Sequence, residues 1–164
     1  MNKERILVVD DDKAHAEVIQ AVLQRSGYLV EVADHFQAAL DRVRARDFAV
    51  VITDLRLGDG SGLDLLRDIQ QRTPEVGVFV MTGYGSVETA VLAMEEGAIS
   101  YINKPIDARE LRARVDRQIE AQRLEHDNKS LHQTLDERFG MHGMVGQSSA
   151  MKPVYDRVRQ VGPT

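Results

Sequence analysis

Five strand-like runs, each followed by a helix-like segment, restrict the fold of this chain more than any other feature of its sequence. The runs are apolar, and the segments between them place apolar residues on one side at helical spacing. The strand-like runs cover 6–10, 28–33, 48–53, 77–82 and 100–103, and the helix-like segments cover 13–26, 35–46, 62–72, 86–96 and a last stretch from near Asp107. Strands and helices that alternate in this way form a parallel sheet with helices on both faces. The sequence therefore predicts a doubly wound α/β domain with a five-stranded parallel sheet.

The composition narrows the class of protein further. The 164 residues, 43% of them hydrophobic, are enough for one domain and an appendage. A net charge of -5 argues against a chain-wide nucleic-acid surface, and the lack of cysteine excludes disulfides and thiolate metal sites. No run approaches the roughly 18 apolar residues of a membrane span, and the first residues lack the apolar region of a signal peptide. We expect a cytoplasmic protein that makes no contact with a membrane.

Chemically active side chains stand at the ends of four of the five predicted strands. They are Asp10, Asp11 and Asp12 after the first strand, Asp54 after the third, Thr82 at the end of the fourth and Lys104 after the fifth. A single Asp after a strand more often forms a turn or caps a helix. Ligands of such sheets, however, bind beyond the carboxyl ends of the strands, where all these residues meet. The combination favours one shared site.

The stretch ILVVDDD, residues 6–12, makes the first strand end unusual. Its apolar run does not alternate, which predicts burial on both faces of the sheet. Three adjacent carboxylates repel one another and lose solvation, so folding alone gives no reason for them. We therefore expect a positive partner beside these acids.

Four segments give the chain a family resemblance: VVDD (8–11), ITDLRLGDGSGLDLL (52–66), MTGYG (81–85) and YINKP (101–105). In order and spacing they resemble the receiver domain of bacterial two-component response regulators. The resemblance covers residues 4 to about 120, so we place a receiver domain at 1–120. It implies a flavodoxin-like, CheY-like fold with strand order 2-1-3-4-5.

The resemblance also implies roles for residues at the first and third strand ends. Asp54 would be the phosphoacceptor. Asp10 and Asp11 would be the acidic pair that holds Mg²⁺, together with Asp54 and the backbone carbonyl of Arg56. Asp12 has no fixed role in the family, and capping the first helix would be enough to explain it.

Three further roles follow from the same resemblance. Thr82 would be the switch hydroxyl, Tyr101 the switch aromatic residue, and Lys104 the invariant lysine before a cis bond to Pro105. A sensor histidine kinase would donate the phosphoryl group, and the domain would assist only its own phosphorylation rather than act as an enzyme. The signal would emerge on the face of the fourth helix, fifth strand and fifth helix, through which a homodimer would also form.

The last helical stretch is longer than a receiver needs, since neither proline nor glycine occurs from Asp107 to about Arg138. Beyond 120 its apolar residues follow spacings of three and four, which predicts a coiled-coil linker helix over 121–138. The seam consists of Ala121, Leu124, Asn128, Leu131 and Leu135. We favour a parallel dimer with Asn128 fixing its register, while a solvated single helix remains the alternative.

The segment MVGQSSAMKPVYDRVRQVGPT, residues 144–164, resembles the opening of the AAA+ ATPase domain of sigma-54-dependent activators of the NtrC family. We therefore expect 139–164 to be the truncated start of that domain. The phosphate-binding glycine-rich motif of the ATPase does not occur in the chain. Contacts of the longer regulator with sigma-54 RNA polymerase and DNA would then lie outside these residues.

Two other interpretations remain open at this level. A stand-alone receiver that binds a target protein would share the same site. An aspartate-nucleophile phosphatase would carry a D-x-D pattern at the first strand end, which Asp10 and Asp12 satisfy literally. The sequence names neither the kinase nor the stimulus, and does not show whether phosphorylation relieves repression or activates.

Overall fold

The computed structural model describes residues 4–83 and 86–139, and for 133–139 only the backbone. The predicted ATPase-like segment, after Phe139, lies outside the described residues. Tyr84, Gly85 and the side chain of Leu135 also lie outside them. Among the residues it does describe, no helix combines the length and apolar character needed to cross a bilayer.

The chain forms seven strands and five helices in these residues. The strands are β1 (Arg5–Val9), β2 (Leu29–Ala33), β3 (Val50–Asp54), β4 (Arg56–Leu57), β5 (Gly60–Ser61), β6 (Gly77–Thr82) and β7 (Ser100–Asn103). The helices are α1 (Lys13–Arg25), α2 (Phe36–Ala45), α3 (Gly62–Arg72), α4 (Val87–Glu95) and α5 (Ala108–Phe139). All five predicted strands and helices are present, and the two-residue strands β4 and β5 were not predicted.

The five longer strands form one parallel sheet in the order β2-β1-β3-β6-β7. This order, counted over the five predicted strands, is 2-1-3-4-5, so the doubly wound α/β fold is confirmed. Val9 at the end of β1 pairs with Thr53, and Asp54 at the end of β3 pairs with Met81. The register therefore brings the carboxyl ends of β1, β3 and β6 side by side.

Two apolar clusters fill the two faces of this sheet. Leu7 and Val9 of β1 belong to the cluster formed with α2 and α3, and Ile6 and Val8 belong to the cluster formed with α1 and α5. All four side chains are fully buried. Burial on both faces explains why the run 6–9 does not alternate between apolar and polar residues.

A short hairpin follows Asp54, and two of its residues cap the starts of α2 and α3. Its strands β4 and β5 are antiparallel, and the carboxylate of Asp59 between them accepts hydrogen bonds from the N–H groups of Phe36 (2.6 Å) and Gln37 (3.1 Å). Asp59 thus caps α2, whose own N-cap residue His35 makes no such bond. The side chain of Ser61 caps α3 in the same way.

The compact unit that contains the sheet ends at Gln122, within α5. Before that point α5 buries Leu111, Val115 and Ile119, which are spaced by four residues. From 123 to 132 every side chain is exposed, including Leu124 at 62% and Leu131 at 64%. The first half of the long helix is therefore part of the core, whereas the side chains of 123–132, the described part of its second half, are exposed.

Candidate functional site

The carboxyl edge of the sheet contains the buried polar residues that the sequence placed there. Asp10 is fully buried at the end of β1, Asp54 is 8% exposed at the end of β3, and Thr82 is 3% exposed at the end of β6. Lys104 follows β7 and its side chain reaches both aspartates. Side chains that are far apart in sequence therefore share one small region.

Three carboxylates in this region could hold a metal ion. One oxygen from each of Asp10, Asp11 and Asp54 lies within 4.8 Å of the other two. Asp11 is exposed, so water can reach the group from that side. Hard oxygen donors in this number, with access to water, suit Mg²⁺, which prefers oxygen ligands and keeps several of its waters. The residues present therefore fit the ion that the sequence predicted.

The third acid, Asp12, has a different position. Its carboxylate accepts hydrogen bonds from the N–H groups of Ala14 (3.0 Å) and His15 (3.2 Å), as the N-cap of α1. This bonding satisfies two of the donors that every helix leaves free at its start. The carboxylate of Asp12 thus has a structural role that is separate from the acidic group.

Lys104 supplies a positive charge between the two buried aspartates. Its Nζ donates to Asp10 Oδ2 at 2.9 Å and also to Asp54 Oδ2. Burial alone would lower the pKa of this ammonium group, but the hydrogen bonds to Asp54 and Asp10 and their negative charges outweigh it, so the pKa is raised. Lys104 is therefore charged, and part of the positive partner expected for the acids comes from the chain itself.

Asp10 is ionised in spite of its burial. Burial raises the pKa of this carboxyl, but hydrogen bonds from His15, Lys104 and the N–H of Asp12, together with the charge of Lys104, hold it below its ordinary value. The backbone contact joins Asp12 N to Asp10 Oδ1 at 3.0 Å. Its donors keep this buried carboxylate charged and in one orientation, so it could serve as a ligand for a cation.

The backbone around Asp54 is closely packed. Asp54 Oδ1 accepts a hydrogen bond from the N–H of Arg56 at 3.0 Å. A Cβ atom at Gly62 would lie 2.2 Å from the carbonyl oxygen of Asp54, so only glycine fits there without a shift of the backbone. The hairpin and the start of α3 thus hold the Asp54 backbone in place.

Thr82 and Tyr101 differ in burial: Thr82 is buried, and Tyr101 is half-buried. The carbonyl of Thr82 accepts a hydrogen bond from Lys104 N at 2.7 Å, just before the cis bond between Lys104 and Pro105. Tyr101 pairs with Val80 in the sheet and is half-buried, and its hydroxyl lies 3.0 Å from Thr89 Oγ1 on α4. Thr89 also forms the capping box of α4 with Ser86.

Sequence reasoning missed two side chains that contact the predicted site residues. His15 Nδ1 lies 2.5 Å from Asp10 Oδ2, and Thr89 contacts Tyr101 as described. The only advance signal for His15 is its position three residues after the cap residue Asp12, because helical side chains lean toward the N-terminus of their helix. For Thr89 the signal is the capping-box pattern, which does not indicate a contact with Tyr101.

The family follows from a comparison with known proteins. A family model described as the response regulator receiver domain matches residues 6–116. The chain belongs to the response regulator receiver family. The prediction of a receiver domain with the CheY-like fold is therefore confirmed.

A curated relative extends the likeness of this receiver beyond the sheet. Transcriptional regulatory protein ZraR of Klebsiella oxytoca is 35% identical over 159 residues, which cover 97% of this chain and 35% of ZraR. The chain thus spans about a third of the length of that relative.

Two solved structures resemble the receiver closely. The beryllofluoride-activated NtrC4 receiver domain dimer is 30% identical, with a TM-score of 0.69 over 72% of this chain and 98% of that chain. A response regulator from Burkholderia pseudomallei with a phosphorylated aspartic acid, calcium ion and citrate is 28% identical, with a TM-score of 0.66 over 84% of this chain and 87% of that chain. The resemblance to the NtrC family is confirmed for the receiver part.

Proposed function

We propose that this receiver accepts a phosphoryl group on Asp54 from a sensor histidine kinase in the cytoplasm. The observation that carries the proposal is the position of the Asp54 carboxylate. It contacts Lys104 Nζ, and one of its oxygens lies within 4.8 Å of an oxygen of Asp10 and of Asp11. The phosphorylated aspartic acid and the calcium ion named for the Burkholderia pseudomallei regulator support phosphorylation of an aspartate and binding of a divalent cation.

Asp10, Asp11, Asp54 and the backbone carbonyl of Arg56 are the groups that would hold Mg²⁺. When bound, the ion supplies positive charge that offsets repulsion between the Asp54 carboxylate and the anionic phosphoryl group. Asp10 contributes a negative charge that favours the cation, because its hydrogen-bond donors hold its pKa low in spite of burial.

Asp54, Lys104 and Thr82 have different roles in the transfer of the phosphoryl group. A carboxylate oxygen of Asp54 forms the bond to phosphorus as the bond from phosphorus to the kinase histidine breaks. Lys104 already contacts Asp54 Oδ2, so its ammonium can pass to a phosphoryl oxygen with a small movement. Its backbone stays in place through the hydrogen bond to Thr82 O at 2.7 Å, and the Thr82 hydroxyl donates to another phosphoryl oxygen.

Phosphorylation then biases a conformational equilibrium. The modified Asp54 carries added negative charge and strong acceptor oxygens, which attract the Thr82 hydroxyl. Tyr101 rotates inward into the space that Thr82 leaves, and this rotation breaks the 3.0 Å contact between its hydroxyl and Thr89 Oγ1. Because Thr89 belongs to the capping box at the start of α4, the change reaches the face formed by α4, β7 and α5.

We further propose that the receiver at 1–120 controls dimerisation and activity of an attached sigma-54-dependent activator. A coiled-coil linker at 121–138 and an ATPase domain that starts at 139–164 complete the regulator. The exposed Leu124 and Leu131 support a linker that a second copy covers, and the NtrC4 receiver domain dimer supports association between two receivers. Contacts with sigma-54 RNA polymerase and DNA belong to the rest of the regulator. A match over 97% of this chain to the longer ZraR favours this organisation over a stand-alone receiver.

The position of Asp12 argues against a phosphatase with a D-x-D pair. Both the N–H of Ala14 and the N–H of His15 donate to its carboxylate, which is therefore engaged as the cap of α1. The side chain of Asp10, the other member of the pair, is 0% exposed, against 12% for that of Asp54. A phosphomonoester would therefore reach the carboxylate of Asp54 more easily than that of Asp10.

The reaction is tested by incubating the chain with Mg²⁺ and acetyl phosphate. We expect one phosphoryl group per chain, held as an acyl phosphate, and none in Asp54→Asn. Asp41→Asn on the surface of α2 is the matched control and should behave as the wild type. Continuous turnover of phosphomonoesters that survives Asp54→Asn would establish the phosphatase instead.

The linker is tested by sedimentation of Asn128→Leu with and without beryllofluoride. Replacing Asn at a seam position by Leu should tighten association and weaken the preference for two chains. Ser130→Leu adds the same apolar side chain outside the seam and should leave association unchanged. A monomer in every sample, with and without beryllofluoride, would dispose of the coiled coil.

A further inference from the structure

His15 makes a contact with the acidic site that the proposed function does not use. Its Nδ1 lies 2.5 Å from Asp10 Oδ2, the same oxygen that accepts from Lys104 Nζ at 2.9 Å. Because a carboxylate can only accept, the imidazole donates from Nδ1. Asp10 thus has three donors: the N–H of Asp12 on Oδ1, and the side chains of His15 and Lys104 on Oδ2.

The start of α1 holds His15 in the position from which it donates. The N–H of His15 is itself bonded to Asp12 Oδ1 at 3.2 Å, so the first turn of the helix is closed by the cap. A helical side chain leans toward the N-terminus, which carries the imidazole back toward the end of β1. Its side chain is 22% exposed, and that of Asp10 is fully buried. The contact therefore joins a partly exposed helix residue to a buried ligand.

His15 differs from the other side-chain donor in one respect. Lys104 is shared between Asp10 and Asp54, so it leaves or loosens its bond to Asp10 whenever it follows the phosphoryl group. The side chain of His15 bonds to Asp10 and its backbone N–H bonds to Asp12, and neither of these bonds involves Asp54. His15 can therefore hold Asp10 in one orientation throughout the reaction.

We infer that His15 is a positioning residue that orients Asp10 for the divalent cation. The inference rests on the proposed cation site and adds a residue to it. Partners that hydrogen-bond to a metal ligand fix its orientation, and their loss typically lowers metal affinity about 10- to 100-fold. His15 touches neither phosphorus nor, in this role, the ion, and acts through Asp10 alone.

The test is calorimetric titration of the chain with Mg²⁺ in the absence of any phosphodonor. We expect the dissociation constant of His15→Ala to rise about 10- to 100-fold. His15→Asn should restore affinity close to the wild type, because the Asn amide nitrogen occupies nearly the place of Nδ1. His35→Ala is the matched control: His35 forms an exposed pair with Asp34 (2.6 Å) on another helix start and should leave affinity unchanged.

Folding is checked separately by the thermal unfolding midpoint in EDTA, with His15→Leu as a second variant that keeps bulk but cannot donate. An unchanged or lower dissociation constant in folded His15→Ala or His15→Leu would overturn the positioning role, as would failure of His15→Asn to restore affinity. A wild-type chain that does not bind Mg²⁺ would instead overturn the cation site itself, and the inference with it. The two failures are therefore distinguishable.

Discussion

The two edges of the central sheet use polar side chains in opposite ways. At the amino edge, Gln122 of α5 donates to the carbonyls of Ala49 (3.0 Å) and Glu75 (2.7 Å). The carbonyl of Glu75 lies outside the strands, and the carbonyl of Ala49 also accepts a hydrogen bond from Gly77 N at the start of β6 (3.0 Å). At the carboxyl edge, Asp10 and Asp54 bring negative charge into a buried region. Lys104 offsets this charge, together with the hydrogen-bond donors of His15 and the backbone.

This difference separates stability from chemistry. Amide side chains at the amino edge complete the hydrogen bonding of the fold and carry no charge. Carboxylates at the carboxyl edge repel one another, and their grouping is favourable only with cationic partners. We therefore expect changes near the amino edge to lower stability and leave phosphorylation intact. Changes at the carboxyl edge should impair phosphorylation and have little effect on stability.

The largest loss of stability is expected for Phe79→Ala. Phe79 lies in the middle of β6, is 1% exposed, and belongs to the cluster with α1 and α5. Removing a buried Phe side chain costs about 3–5 kcal/mol of unfolding free energy. Urea unfolding measures the loss, and acetyl phosphate should still label the folded fraction. A folded variant that cannot be labelled would show that the two edges are not independent.

Gly62→Ala should affect both properties, because Gly62 lies where packing and chemistry meet. The added Cβ would clash with the carbonyl oxygen of Asp54, 2.2 Å away, and force the backbone to move. Overpacking of this kind costs about 1–3 kcal/mol. The rate of labelling by acetyl phosphate should fall as Asp54 is displaced. Gly58→Ala, where a Cβ meets nothing within 4 Å, is the matched control and should label normally.

The comparison also shows how far the sequence alone reaches. The strands were predictable because an apolar run between helices has few other solutions, and the meeting of Asp10, Asp54 and Lys104 follows from strand topology. The sequence placed Lys104 in the site but did not show that its ammonium group contacts both Asp54 and Asp10, which lies 94 residues away. Such a contact depends on the conformation of the loop after β7.

Two features of the structure could not be predicted from a pattern in the sequence. The hairpin of β4 and β5 was missed because strands of two residues show no periodicity, and its glycines read as a turn. The contact between His15 and Asp10 depends on side-chain direction after the helix cap, which spacing alone does not give. Short-range geometry, rather than the fold, is therefore what the sequence left open.

A smaller loss of stability is expected for Gln122→Ala at the amino edge. The substitution removes the donor to two carbonyls that are partly exposed, and water replaces much of the lost bonding. We expect a loss of about 1 kcal/mol in urea unfolding and an unchanged rate of labelling. A change in labelling without a change in stability would contradict the separation of the two edges.

The smallest change of stability is expected for Asp54→Asn. Lys104 keeps its bond to Asp10, and the loss of its contact with Asp54 is offset by weaker repulsion among the carboxylates. The unfolding free energy in EDTA should therefore change by about 1 kcal/mol or less. A much larger loss would mean that Asp54 contributes to the fold, and the carboxyl edge would no longer be separable from it.

The most direct test of the central claim is to locate the phosphoryl group by mass spectrometry. The chain is labelled with acetyl phosphate and Mg²⁺, and the acyl phosphate is reduced with borohydride to leave a stable mass change on the modified residue. We predict that the change falls on Asp54 alone and disappears when EDTA is added before the donor. A label on Asp10, or on any other side chain, would contradict the account.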